Sequence, residues 1–256
     1  MIYDTHAHLD DSQFDEDREN LIQNLKDQET AFVINNASDM DSIRKTLNLV
    51  KEHSFIYGAL GIHPSDCGDL TEEGFSFIKE NITQDKIVAV GEIGLDYYWK
   101  EPERSIQKTW FERQLLLAKE KKKPVVIHSR DAAKDTVDIM KEMKAGEIGG
   151  EIHCFSYGTS VAKEFLDMGF YFGIGGVVTF KNAKKLHEVV AYLPLTSILL
   201  ETDCPYLAPV PERGKRNSPL NIPLIAREVA AIKGITYEEV MDVTSSNARK
   251  LFGIRQ

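Results

Sequence analysis

His6 and His8 stand one residue apart in DTHAHL (residues 4–9) and are two of seven histidines in the chain. On an extended strand, side chains two apart point the same way, so both imidazoles can face one cavity. Glu92 in VGEIGLD, His128 in VVIHSRD, His153 in GEIHCF and Asp203 in LLETDCP each close an apolar or β-branched run. Taken singly, none is decisive. A strand-end histidine is more often a hydrogen-bonded structural group, and Asp203 alone would serve as well in a cap or turn. As a set they are imidazoles and carboxylates, donors that accept zinc, manganese, nickel or iron, with magnesium also open through the carboxylates.

These residues need elements that bring them together. Eight short runs read as strands: 1–6, 31–36, 55–62, 87–94, 124–129, 149–155, 170–176 and 197–203. Their first residues lie 21 to 37 positions apart, a spacing that suits βαβ units. Apolar residues at helical spacing predict helices over 18–28, 41–53, 109–123 and 132–146. Near-continuous apolar strands alternating with amphipathic helices indicate a parallel sheet covered by helices. Eight units in 256 residues favour an α/β fold, the closed (β/α)8 TIM barrel, as one domain over residues 1–256 with no linker-like stretch. The candidate donors then sit at the C-terminal ends of strands one, four, five, six and eight, the face on which such barrels build active sites.

Closure of a barrel sets strand eight beside strand one. His6, His8 and Asp203 would therefore hold one ion, and His128 and His153, on adjacent strands, a second. Six donors exceed the three protein ligands of a typical single catalytic zinc. Two divalent ions sharing a bridging carboxylate suit them better, with Glu92 as the bridge.

Bulk properties narrow the partners. The formal net charge is −9, from 31 basic and 40 acidic side chains, which argues against a protein that wraps duplex nucleic acid through a basic surface. An acidic total still allows a local basic patch, or metal ions that supply positive charge. Three scattered cysteines, with no C-x-x-C pair, point to a reducing compartment. The N-terminus lacks a basic segment followed by an apolar one, and no run of about 20 apolar residues is present, so a cytoplasmic protein without membrane association is expected. Oligomeric state is not readable. The KEKKK run (119–123) is best explained as cations at a helix C-terminus, favoured by the macrodipole, rather than a nucleic-acid patch.

The motifs DTHAHLD, GIHPSD, VGEIGLDYYW, IHSRDA, HCFS, ETDCPYLAP and RGKRNSP, in this order, resemble those of the TatD family of metal-dependent hydrolases, within the amidohydrolase superfamily of (β/α)8 barrels. The resemblance runs from residue 4 to SSNARKLFG (245–253). It implies a metal-dependent deoxyribonuclease with 3′-to-5′ exonuclease activity, acting on single-stranded DNA or 3′ ends. By motif, the family's ligands fall on His6, His8, Glu92, His128, His153 and Asp203. It also implies that Asp203 accepts the proton of a water activated by two ions and that the 3′ oxygen leaves. A hydrolase of an amide, lactone or aminoacyl ester is the alternative, because the same centre can perform that chemistry.

Further residues read as substrate contacts. His63, in GIHP, would donate a hydrogen bond to phosphate, and Arg213, Lys215 and Arg216 would grip flanking phosphates. A solvated loop is the alternative for those three cations. Glu201, two residues before Asp203, would either orient a ligand histidine or serve as a buried structural carboxylate. Tyr97, Tyr98 and Trp99 read equally as base-stacking residues or as a loop packing cluster. Cys204 reads as a packing thiol, not a nucleophile.

Overall fold

A computed structural model describes residues 1–255. Eight strands, β1 (Tyr3–Ala7), β2 (Phe32–Asn36), β3 (Ile56–Leu60), β4 (Ile87–Asp96), β5 (Val125–Arg130), β6 (Gly150–Ile152), β7 (Tyr171–Ile174) and β8 (Ile198–Leu200), pair in parallel in chain order. Runs such as Phe32-Val33-Ile34 and Val125-Val126-Ile127 are buried throughout, since one face fills the barrel and the other meets helices. Closure falls just past the named end of β8. The Asp203 amide donates to the His6 carbonyl (2.8 Å), and the His8 amide donates to the Cys204 carbonyl (2.8 Å). The result is a nearly closed (β/α)8 barrel.

Helices α1 (Arg18–Asp27), α2 (Met40–Glu52), α3 (Glu72–Asn81), α4 (Arg104–Lys121), α5 (Ala133–Glu142), α6 (Thr159–Asp167), α7 (Lys184–Tyr192), α8 (Ile222–Lys233) and α9 (Tyr237–Phe252) follow the strands. α2 shows how the sequence sets them. The Asp39 side chain accepts from the amides of Asp41 and Ser42, and Ile43, Leu49 and Val50 form the buried face. The four helices expected from apolar spacing are present, with α4 beginning five residues earlier than its apolar face suggests. α3, α6, α7, α8 and α9 are further helices that the apolar spacing did not single out. α9 is capped by Thr236, and its Asn247 donates to the carbonyls of Leu195 and Ile198, which ties the C-terminal end to the base of β8. No helix among the described residues is long and apolar enough to cross a membrane.

The KEKKK run is absorbed by the fold. Lys119 pairs with Glu147 (2.7 Å), Lys121 with Glu120 (2.9 Å), and Lys123 donates to the Ile87 carbonyl (2.5 Å).

Candidate metal centre

The C-terminal face opens into a cavity of about 470 Å³ whose wall includes His8, His63, Glu92, His128, His153 and Asp203. His6 is fully buried beneath it. Glu92, on the longest strand, stands at the centre, and its two carboxylate oxygens face different partners. Oε2 lies 3.2 Å from His6 Nε2 and 3.7 Å from His8 Nε2. Oε1 lies 2.8 Å from His128 Nδ1 and 3.7 Å from both His63 Nε2 and His153 Nε2. Asp203 Oδ1 closes the group at 3.3 Å from His8 Nε2, 3.9 Å from His153 Nε2 and 4.0 Å from His6 Nε2.

The chain positions Asp203 by a buried brace. Asp4 accepts from the amides of His6 and Thr202 and from the Thr202 hydroxyl, locking β1 to the segment after β8. Asp203 then takes a left-handed φ of 56°, a conformation aspartate tolerates better than bulkier residues.

The imidazoles are held from behind. His8 Nδ1 donates to the Asn36 carbonyl (2.8 Å), and His153 Nδ1 donates to Glu201 Oε2 (3.1 Å). In each neutral ring the Nε2 lone pair therefore faces the cavity, the arrangement of a metal-ligating histidine. Glu201 Oε1 also accepts from the Cys154 amide (2.8 Å), so one carboxylate fixes both the ring and the backbone after it. Glu201 itself fits only because residue 173 is glycine, where a Cβ would lie 2.1 Å from Glu201 Oε2. His6 Nδ1 faces Glu151 Oε1 at 4.0 Å, and neither Glu151 oxygen nor this nitrogen has a hydrogen-bond partner.

Electrostatics show what this donor set lacks. His6 Nε2 and His8 Nε2 are 3.2 Å apart, with Glu92 and Asp203 oxygens beside them. Such electron-rich atoms converge stably only around protons or cations. Burial would lower His8, but the hydrogen bond and charge of Asp203 overcome it and push His8 up to about 9. Burial would raise Glu92, yet His6, His153 and His63 hold it well below the usual carboxylate range. His153 is driven well above its ordinary value despite burial, because Glu201, Glu92 and Asp203 surround it. Without metal, bound protons supply the missing positive charge, and divalent ions would replace them. The residues thus fit a metal centre by donor type and orientation. The ligating atoms of His6, His8 and Asp203 form one group lying within 4.8 Å of one another, and those of His63, Glu92 and His128 form another.

His128 and His63 differ from the others. His128 lies between two carboxylates, with Nδ1 on Glu92 and Nε2 3.1 Å from Asp96 Oδ2. Burial opposes its protonation, and the hydrogen bonds to Asp96 and Glu92 outweigh that and raise it. His63 Nδ1 accepts from the Ser65 amide (3.1 Å), so its proton sits on Nε2, aimed into the cavity. Burial and neighbouring His128 push it down to about 3, leaving a neutral donor.

The structure brings together the six expected ligands and His63, but not the cations of the 204–219 loop. Arg216 makes a two-point ion pair with Asp17 (2.6 and 2.8 Å) and lies over the Phe14 ring. Lys215 pairs with Glu212 (2.7 Å), and Arg213 lies over Phe180. None of the three lines the cavity. They were expected to grip flanking phosphates; in this structure nearby carboxylates and an aromatic face hold them outside the cavity. The cavity wall carries Arg130 instead. Sequence reasoning passed over Arg130 and Asp96, although Arg130 sits two residues after His128 on β5, the same spacing that paired His6 with His8. Cys204 is buried in the core, as a packing thiol should be.

A (β/α)8 barrel with an imidazole–carboxylate metal centre at its C-terminal face defines a metal-dependent hydrolase. The chain belongs to the TatD family: the family model described as TatD related DNase matches residues 3–253. It is 45% identical to the metal-dependent hydrolase YabD of Bacillus subtilis over 99% of this chain and 100% of that protein. It is 34% identical to the metal-dependent hydrolase YcfH of Escherichia coli K12, over 99% of this chain and 96% of that one. The crystal structure of the E. coli TatD homologue YjjV superposes with a TM-score of 0.93 at 29% identity, covering 99% of this chain and 98% of that chain.

Proposed function

We propose that this hydrolase is a two-metal deoxyribonuclease that removes nucleotides from 3′ ends of single-stranded DNA. The observation that carries the reading is the division of Glu92: one oxygen faces His6 and His8, the other His128, His63 and His153. Two divalent ions would find donors here: His6, His8 and Asp203 would hold one, His128 and His153 the other, and Glu92 would offer an oxygen to each. When bound, such ions lower the pKa of water and neutralise charge on a phosphodiester.

The chain's own groups supply the rest. Asp203 takes the proton of the attacking water on a carboxylate oxygen, for which it must be ionised; His153 and His8 keep it so against the opposing effect of burial. His63, neutral with its proton on Nε2, donates to a phosphate oxygen. Arg130 meets the negative charge of the substrate at the cavity wall. Glu201 and the Asn36 carbonyl keep His153 and His8 in the tautomer that presents Nε2. As the water oxygen bonds to phosphorus the P–O3′ bond breaks, and the leaving 3′ oxygen takes up the proton that Asp203 had accepted. Free thiols at Cys67, Cys154 and Cys204 support a reducing, cytoplasmic setting.

The test is mononucleotide release from single-stranded oligonucleotides with free 3′ ends, with manganese or magnesium. Asp203→Asn should cut the rate by on the order of 10²–10⁴-fold, the range for a lost general base. Full-length DNA surviving with every metal tested, alongside turnover of an amide, lactone or aminoacyl ester, would move the site to that other chemistry.

A further inference from the structure

We propose that Tyr98, Trp99 and Arg130 form a nucleobase-stacking and phosphate-holding subsite for single-stranded DNA at the edge of the metal centre. The proposal rests on the nuclease reading above and adds where the strand lies.

The register of β4 and β5 sets Asp96 opposite Arg130, and the Tyr97 amide donates to the Arg130 carbonyl (2.8 Å). Pairing therefore continues one residue beyond β4, and the aromatic stretch 97–99 leaves the barrel directly beside Arg130. Two residues separate Arg130 from His128, roughly 6–7 Å along a strand. A group held here adjoins whatever the metal centre holds.

The three aromatic residues have separate roles. Tyr97 is structural: its hydroxyl donates to Asp135 (2.7 Å) and its ring lies under Arg104. Tyr98 and Trp99 are 54% and 56% exposed, unusual for side chains whose burial would stabilise the fold. Their rings meet edge to face, with centroids 4.8 Å apart at 89°. The Arg130 guanidinium lies 3.8 Å from the centre of the Tyr98 ring, which holds it in place without neutralising it. Trp99 and Arg130 both line the cavity.

Charge points to the ligand class. Asp10, Asp11, Glu92, Asp96 and Asp203 line the same wall, and Arg130 is the single lysine or arginine among the described lining residues. No carboxylate lies within 4 Å of it among the described residues, unlike Lys215 and Arg216. An exposed indole beside a free guanidinium suits a ligand with a flat π-face joined to an anion, as in each nucleotide of a single strand.

The test measures binding of a short single-stranded oligonucleotide to metal-loaded Asp203→Asn protein, in which cleavage is suppressed. Trp99 fluorescence should be quenched on binding. Trp99→Ala and Arg130→Ala in that background should each weaken binding about tenfold, and Trp99→Phe, which keeps a ring, should restore most of it. An abasic residue at the stacked position should weaken the parent but not Trp99→Ala. Hydrolysis of bis(p-nitrophenyl) phosphate by the otherwise unchanged parent reports the metal centre apart from strand binding, because that small diester carries no strand. Parent-like oligonucleotide binding and cleavage by Trp99→Ala would overturn the subsite and leave the nuclease reading standing. A parent that neither binds nor cleaves any oligonucleotide, yet hydrolyses the small diester, would overturn both.

Discussion

The two sides of Glu92 are built differently. Facing Oε2, His8 presents an Nε2 whose opposite nitrogen is already committed to a backbone carbonyl, and Asp203 stands 3.3 Å away. Facing Oε1, His128 has both nitrogens on carboxylates, Glu92 and Asp96. The first side is preset for a cation. On the second, both ring nitrogens of His128 are taken by carboxylates, so an ion there must compete with Glu92 or Asp96 for a nitrogen, whereas only one nitrogen of His8 faces a carboxylate. On the proposed two-ion reading, the two sides would not bind alike: the Oε2 side should bind the tighter ion, and the Oε1 side the exchangeable one.

The largest test of that contrast is removal of ligands from one side at a time. His6→Ala combined with His8→Ala should abolish hydrolysis and remove the tight ion, whereas His128→Ala should lower metal content from two ions to one and leave the tight one in place. Metal analysis after dialysis distinguishes them; equal losses from both variants would erase the distinction.

A smaller effect is expected from Gly173→Ala, which touches no ligand. Its methyl group would displace the Glu201 carboxylate and free the His153 ring, costing about 10–100-fold in metal affinity, the usual scale for an orienting partner. Affinity equal to the parent's, measured by calorimetry, would show that His153 is held by something else.

Acidity sharpens the comparison further. His8 titrates at about 9 in the metal-free site, so a metal must displace a proton to bind there. Zinc affinity should therefore rise between about pH 6.5 and 9, by up to about tenfold per pH unit for one displaced proton. The stability of the metal-free protein has the opposite sign. The protonated ring's contribution is fully present below its ordinary value of 6.5 and is lost as pH rises through about 9. Melting temperatures of metal-free and metal-loaded protein across that window check both slopes.

The smallest effect is expected at Lys215, on neither side of Glu92. Its exposed pair with Glu212 leaves it no part in the cavity, so Lys215→Ala should change oligonucleotide cleavage by less than about twofold. A large fall in the cleavage rate would return the 204–219 loop to the substrate path.

Much of the fold was legible because its signals are local. Buried strands such as Val125–Ile127 announce themselves as apolar runs, and the amphipathic spacing of α2 survives in any context. α3, α6, α7, α8 and α9 were not read, and length is not the reason, since α1 and α5 are ten residues long and were. In the site, strand alternation made His6 and His8 co-facial, and the same rule applied to β5 would have disclosed Arg130.

The sequence by itself determined the donor types, their places at strand ends and the alternation that turns them one way, because these depend on residues within a few positions of each other. Only the tertiary structure decided which Glu92 oxygen meets which histidine, that Asp96 closes on His128, and that Arg216 is spent on Asp17 while Arg130 stays free over Tyr98. Those outcomes are contests between partners far apart in the chain. Barrel closure settles them by setting which groups lie within hydrogen-bonding reach.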